Sequence, residues 1–185
     1  MTQIGEAYVT ETSTQAEELQ KCHALVWRYR GEMAEYWPTP PRTHALEFAV
    51  SEIGEAFDAR MRTHPDYARN NARDVDELDE WADTAMMLLT ALGPEWTDAH
   101  SFAADRAASY GLPLIGRDIF EALRINEMQT KDYTTLGRTR LVDRHIMDAL
   151  WGISTIAGLQ GEGLRARLAQ RLERIKAKQM RTIAA

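Results

Sequence analysis

The stretch DELDEWADTAMMLLTALG, residues 76–93, decides the fold. Acids crowd its first turn, where a helix dipole is positive, and Gly93-Pro94 closes it. Between them Thr84 to Leu92 carry no charge. A helix with no polar face is buried on all sides, so this one, expected from about Asp74 to Leu92, predicts further helices packed around it.

Working outward, the neighbouring segments supply them. HALEFAVSEIGEAFDA, residues 44–59, places Leu46, Ala49, Val50, Ile53 and Phe57 on one stripe of a helix expected from Thr43 to about Met61. A first helix is expected from Thr14, where Thr14 and Glu17 have capping-box spacing, to the stop at Trp37-Pro38-Thr39-Pro40-Pro41. RTHPDYARNNAR, residues 62–73, reads as a polar loop. Downstream, helices are expected over Thr97–Tyr110, Arg117 to about Lys131, residues 139–158 and residues 162–182. No segment alternates as a strand does. The fold class is all-α, a helical bundle in one domain of residues 1–185, with a helical core over 14–135 and C-terminal helices over 139–185.

Composition narrows the function. The net charge of −6 disfavours nucleic acid as a partner, since a groove binder needs a positive surface to displace counterions. The charge is uneven: residues 161–185 carry seven Lys/Arg against Glu162 and Glu173, a net +5 that leaves −11 for residues 1–160. The single cysteine, Cys22, excludes an intrachain disulfide, no run reaches the roughly 18 apolar residues of a membrane helix, and no signal-peptide pattern opens the chain. The expectation is a cytoplasmic protein, not bound to membrane.

Chemistry concentrates in two helices. Glu52 and Glu55 are three residues apart, as are Glu80 and Asp83, and that spacing puts each pair on one helix face. Acids three apart are common on exposed faces, and Asp74, Asp76, Glu77 and Asp79 read largely as such a solvated, dipole-favoured group. Two pairs on successive helices, one leading into an uncharged run, need an offsetting cation. A donor set made only of carboxylates selects a hard one, Mg²⁺ with Mn²⁺ as substitute, which also accepts substrate phosphates as ligands. Gly54, between the first two acids, suggests close packing or ligand approach. His23, His44, His64, His100 and His145 show no metal-ligand spacing in this reading, and phosphate-loop and nucleophile motifs are missing. An echo stands out: Asp83 opens DTAMMLLTAL and Asp148 opens DALWGISTIAGL, a trace of duplication or a likeness that any two buried helices could share.

Glu52-x-x-Glu55 followed by Glu80-x-x-Asp83 resembles the ExxE…ExxD signature of the MazG-like all-α nucleoside-triphosphate pyrophosphohydrolases, a group that includes dimeric dUTPases and phosphoribosyl-ATP pyrophosphohydrolases. The likeness covers about residues 42–131. EALRINEMQTKDY, residues 121–133, is similar to an Asn-plus-Lys nucleotide element of phage-type members, matched here by Asn126 and Lys131. The resemblance implies a MazG-like four-helix core, a homo-oligomer (dimer or tetramer), and cleavage between the α- and β-phosphates to give a monophosphate and pyrophosphate. Glu52, Glu55, Glu80 and Asp83 would hold the metal, with Glu52 or Glu55 as the base that activates water. Arg73 is a phosphate clamp candidate beside Arg60, Arg62, Arg69 and Arg138, and Trp37 a base-stacking candidate beside Trp27, Tyr36 and Trp81, although aromatics at helical spacing are more often core. The phage-type likeness leans the substrate towards a purine deoxynucleotide such as dGTP, with dUTP as rival. A non-catalytic nucleotide-binding regulator, with the basic tail as its partner surface, and a purely structural helical oligomer are the other classes.

Overall fold

A computed structural model describes residues 3–63, 76–97, 112–128, 135–159 and 163–183. Six helices occupy these residues: α1 Gln3–Glu32, α2 Arg42–Thr63, α3 Glu77–Leu92, α4 Leu112–Glu127, α5 Thr135–Leu159 and α6 Leu164–Ile183. There is no strand among them. The expected helix over Thr97–Tyr110 lies almost wholly outside the described residues.

Four helices make a square. The hairpin of α2 and α3 stands beside the hairpin of α4 and α5, with α2 against α4 and α3 against α5; the backbones stay apart across the diagonals, and Arg42 of α2 reaches across one of them to pair with Asp143 of α5. Helices α1 and α6 cover this core, both on α3 and α5 and on each other. That arrangement explains the uncharged run of α3: Thr84 to Leu92 is buried without a break, because α2, α5, α1 and α6 all pack on it. Side chains from every helix fill the interior, among them Leu19, Leu46, Trp81, Leu88, Ile119, Leu150 and Leu168. Burying a side chain of this size is worth about 1.5–3 kcal/mol each.

The ends of α3 follow their sequence signals, whereas α5 begins at Thr135 rather than 139, and α1 and α4 stop at Glu32 and Glu127, ahead of Trp37 and Lys131. Asp76 caps α3, its carboxylate accepting from the Leu78 amide at 3.0 Å. Gly93 ends it at φ 86° and ψ 163°, where a side chain would be strained, and its N–H donates to the Thr90 carbonyl at 3.1 Å. Helix α1, however, begins at Gln3 rather than Thr14. A capping-box spacing competes with helix continuation only when the residues before it resist a helix, and residues 3–13 contain no proline. Helix α4 begins at Leu112 rather than Arg117, because Pro113 falls in its first turn, where the missing N–H costs nothing.

Candidate metal centre

Helices α2 and α3 bring their acids together across the hairpin. One oxygen each from Glu52, Glu80 and Asp83 lies within 4.8 Å of the others. Glu55, one turn along α2, is exposed and outside this group, although its charge acts on both Glu52 and Glu80. Burial first, then the charges of Asp83, Glu55 and Glu80, pushes Glu52 up to about 7. Glu80 is raised by the same causes, burial leading. Gly54 is exposed and a Cβ built on it would meet nothing within 4 Å, so close helix packing is not why it stands there.

A cation already faces the cluster. Arg171 of α6 donates Nε to both oxygens of Asp83, at 2.8 and 3.0 Å, and Nη2 to Oδ2. Its guanidinium is held more firmly protonated than usual, above all by the hydrogen bond to Asp83. Arg174 donates to Asp79 at 2.6 Å, and Arg167 to Asp76 at 2.6 Å. The basic C-terminal helix is thus the partner of the acidic third helix. Asp79 is 7% exposed and paired, which corrects its reading as part of a solvated face.

The group fits a hard divalent ion nonetheless. Arg171 offsets one negative charge, while Glu52 and Glu80 keep oxygens crowded against like charge, and the donors are carboxylate oxygens throughout. Asp83 Oδ1 retains a second lone pair beyond the one given to Arg171 Nε, whereas Oδ2 accepts from both Nε and Nη2.

The nucleotide-contact candidates fare differently. Asn126 donates Nδ2 to Thr43 Oγ1 at 2.9 Å, tying the end of α4 to the first turn of α2. Trp37 lies edge-on to Tyr29 and face-on to Arg30, whose Cζ is 4.4 Å from the ring centroid. Arg30 in turn bonds Thr90, two turns along α3 from Asp83. Trp81 is core, 1% exposed, and Trp27 donates to the Leu89 carbonyl at 3.2 Å. Arg60 pairs with Glu77, Arg62 with Asp58, and Arg138 donates to the Met128 carbonyl. Lys131, Arg69 and Arg73 lie outside the described residues.

Two features escaped the sequence. Arg171 sits 88 positions from Asp83, and nothing local marks it among seven basic residues. The second is a group of Asp118, His145 and Asp148, again with one donor atom each within 4.8 Å. This corrects the view that His145 lacks metal-ligand spacing: the signal was His145-x-x-Asp148, the same three-residue step as Glu80-x-x-Asp83. Comparison of the chain with protein-family models, curated proteins and solved structures gives no match.

Proposed function

We propose that the protein is a Mg²⁺-dependent nucleoside-triphosphate pyrophosphohydrolase whose site is built on Glu52, Glu80 and Asp83. The observation that carries this reading is the convergence of three carboxylates from two helices, with Glu52 raised to about 7. Glu52, Glu80 and Asp83 would hold Mg²⁺, which would supply neutralisation of the charge that develops on the phosphate oxygens. In the metal-free chain burial and like charge raise Glu52 to about 7, a bound cation would lower it again, and Glu52 would serve as general base through the oxygen left off the metal. It takes the proton of the attacking water at its carboxylate oxygen, and Glu55 beside it keeps the local potential negative. Arg171 supplies a fork of donors at the rim, where it can pass from Asp83 to a phosphate oxygen of the substrate. Glu80 and Asp83 would hold the metal beside that fork.

Substrate preference rests on the family resemblance alone: a purine deoxynucleoside triphosphate such as dGTP, with dUTP as rival. A homo-oligomer accords with the exposed Phe48, Phe57 and Met61 of α2 and Phe120 of α4, large apolar groups on two adjacent helices.

A second reading is favoured by the Arg171–Asp83 pair: the acids of α3 exist to clamp α6, in a non-catalytic helical protein. Incubation with each common NTP and dNTP, with and without Mg²⁺, separates the two. The first reading expects Mg²⁺-dependent monophosphate and pyrophosphate, fastest with one deoxynucleotide. No pyrophosphate from any nucleotide would overturn the first.

A further inference from the structure

The two hairpins of the square repeat one another. On α2 the order is Glu52-Ile53-x-Glu55-Ala56, and on α4 it is Asp118-Ile119-x-Glu121-Ala122. On α3 Glu80-x-x-Asp83 leads into the uncharged run, and on α5 His145-x-x-Asp148 leads into another. Asp118 and His145 are 27 positions apart, Glu52 and Glu80 one more. Both hairpins gather their polar groups in the same way, an acid from the first helix facing a three-residue step on the second.

The second group is not a closed ion pair. Asp118 is fully buried, and its Oδ1 receives both neighbours, with His145 Nδ1 at 3.1 Å and Arg117 Nη2 at 3.2 Å. Its Oδ2 is buried without a hydrogen-bond partner among the described residues. A structural Asp–His pair has no use for a bare carboxylate oxygen, which destabilises the fold when left unmet. A cation meets it. Three donors on one ion with bonds of about 2.1 Å stand roughly 3–4.2 Å apart, so a group within 4.8 Å closes on an ion with a small rotation of side chains.

The exchange of Glu80 for His145 at the matching position changes which ion is preferred. Imidazole nitrogen with two carboxylates suits a borderline transition ion, where three carboxylates suit Mg²⁺. We propose that Asp118, His145 and Asp148 form a second divalent-cation site in the α4–α5 hairpin, selective for a transition ion such as Zn²⁺ over Mg²⁺. The site is separate from the Glu52–Glu80–Asp83 centre and needs no substrate.

The test is Zn²⁺ uptake by metal-stripped protein, measured by equilibrium dialysis in excess Mg²⁺, for the wild type, Glu80→Gln, Asp118→Asn and His145→Gln. Circular dichroism checks that each is helical. The wild type and Glu80→Gln should each bind Zn²⁺ in the α4–α5 hairpin with a raised melting temperature, and both other variants should lose at least tenfold in affinity. His145 is 19% exposed at its side chain, so His145→Gln decides alone if Asp118→Asn does not fold. Absence of Zn²⁺ binding by Glu80→Gln, or wild-type affinity in His145→Gln, overturns the proposal. Neither result bears on pyrophosphate release, which would fail or succeed by the other centre.

Discussion

Arg171 of α6 grips Asp83 of α3 through two oxygens, a bond between residues 88 positions apart that joins the basic end of the chain to its acidic centre. This separates two substitutions that look equivalent in the sequence. Asp83→Asn leaves the guanidinium facing an amide that cannot balance it, and should destabilise by about 2 kcal/mol, the lower side of a broken buried pair because Arg171 is 29% exposed. At about 2–4 °C per kcal/mol for a chain of this size, a metal-free melting temperature several degrees below wild type is expected. An unchanged or raised melting temperature would show that the pair contributes nothing.

Glu80→Gln should behave in the opposite way. Glu80 is raised by burial and by Asp83 and Glu55, so removing its charge relieves repulsion, and the metal-free protein should melt at or above the wild-type temperature. Under the proposed function the same variant should release no pyrophosphate. A variant that melts lower than wild type and retains activity contradicts both halves.

Glu52 gives a pH dependence with a definite sign. Its carboxyl titrates near 7 in the folded chain and near its ordinary 4.5 when unfolded. Between those values the folded state binds more protons, so stability falls as pH rises through the window, and the full cost is present above it. Melting curves of metal-free protein from pH 5 to about 8 should therefore slope downward more steeply than those of Glu52→Gln; parallel curves would place Glu52 outside the cluster's field.

Gly93→Ala tests the end of α3. At φ 86° and ψ 163° only glycine is unstrained, although a Cβ there would touch nothing, so the cost is purely conformational. Roughly 1–3 kcal/mol is expected, read as a lower denaturant midpoint with an unchanged slope. The Gly93 carbonyl also receives the Nε2–H of His23 at 2.8 Å, so a displaced α1 would add to the loss.

Arg30→Met is expected to be neutral or stabilising. Arg30 is 1% exposed, with Nη1 unpartnered and no ion-paired carboxylate among the described residues, and burial lowers its affinity for the proton. Its bonds to Thr90 at 3.3 Å and its contact with Trp37 offset only part of the cost of a buried charge, which a methionine does not incur. A loss of more than about 2 kcal/mol would mean that Arg30 has an anionic partner in the working protein.

The sequence revealed what is periodic and local. The uncharged run of α3, the acidic pairs and the all-helical class follow from spacing, because a helix face is visible within one segment. Long-range pairing was not legible: Arg171 is one of several arginines on an amphipathic helix, and its choice of Asp83 depends on how α6 crosses α3. The grouping of His145 with Asp118 was not legible either, because Asp118 comes from another helix and no local spacing announces it. The start of α1 was placed at a capping signal that the continuing helix simply overrides.

The clamp of α6 on α3 has a consequence for synthesis on the ribosome. The five preceding helices leave the translation machinery first, and at that stage Asp76, Asp79 and Asp83 have none of the arginines that later face them. The nascent bundle carries like charge at its heart until Arg167, Arg171 and Arg174 emerge. That charge opposes closure of the core until the most basic segment of the chain arrives, and dissolved divalent salt, by screening it, weakens the opposition.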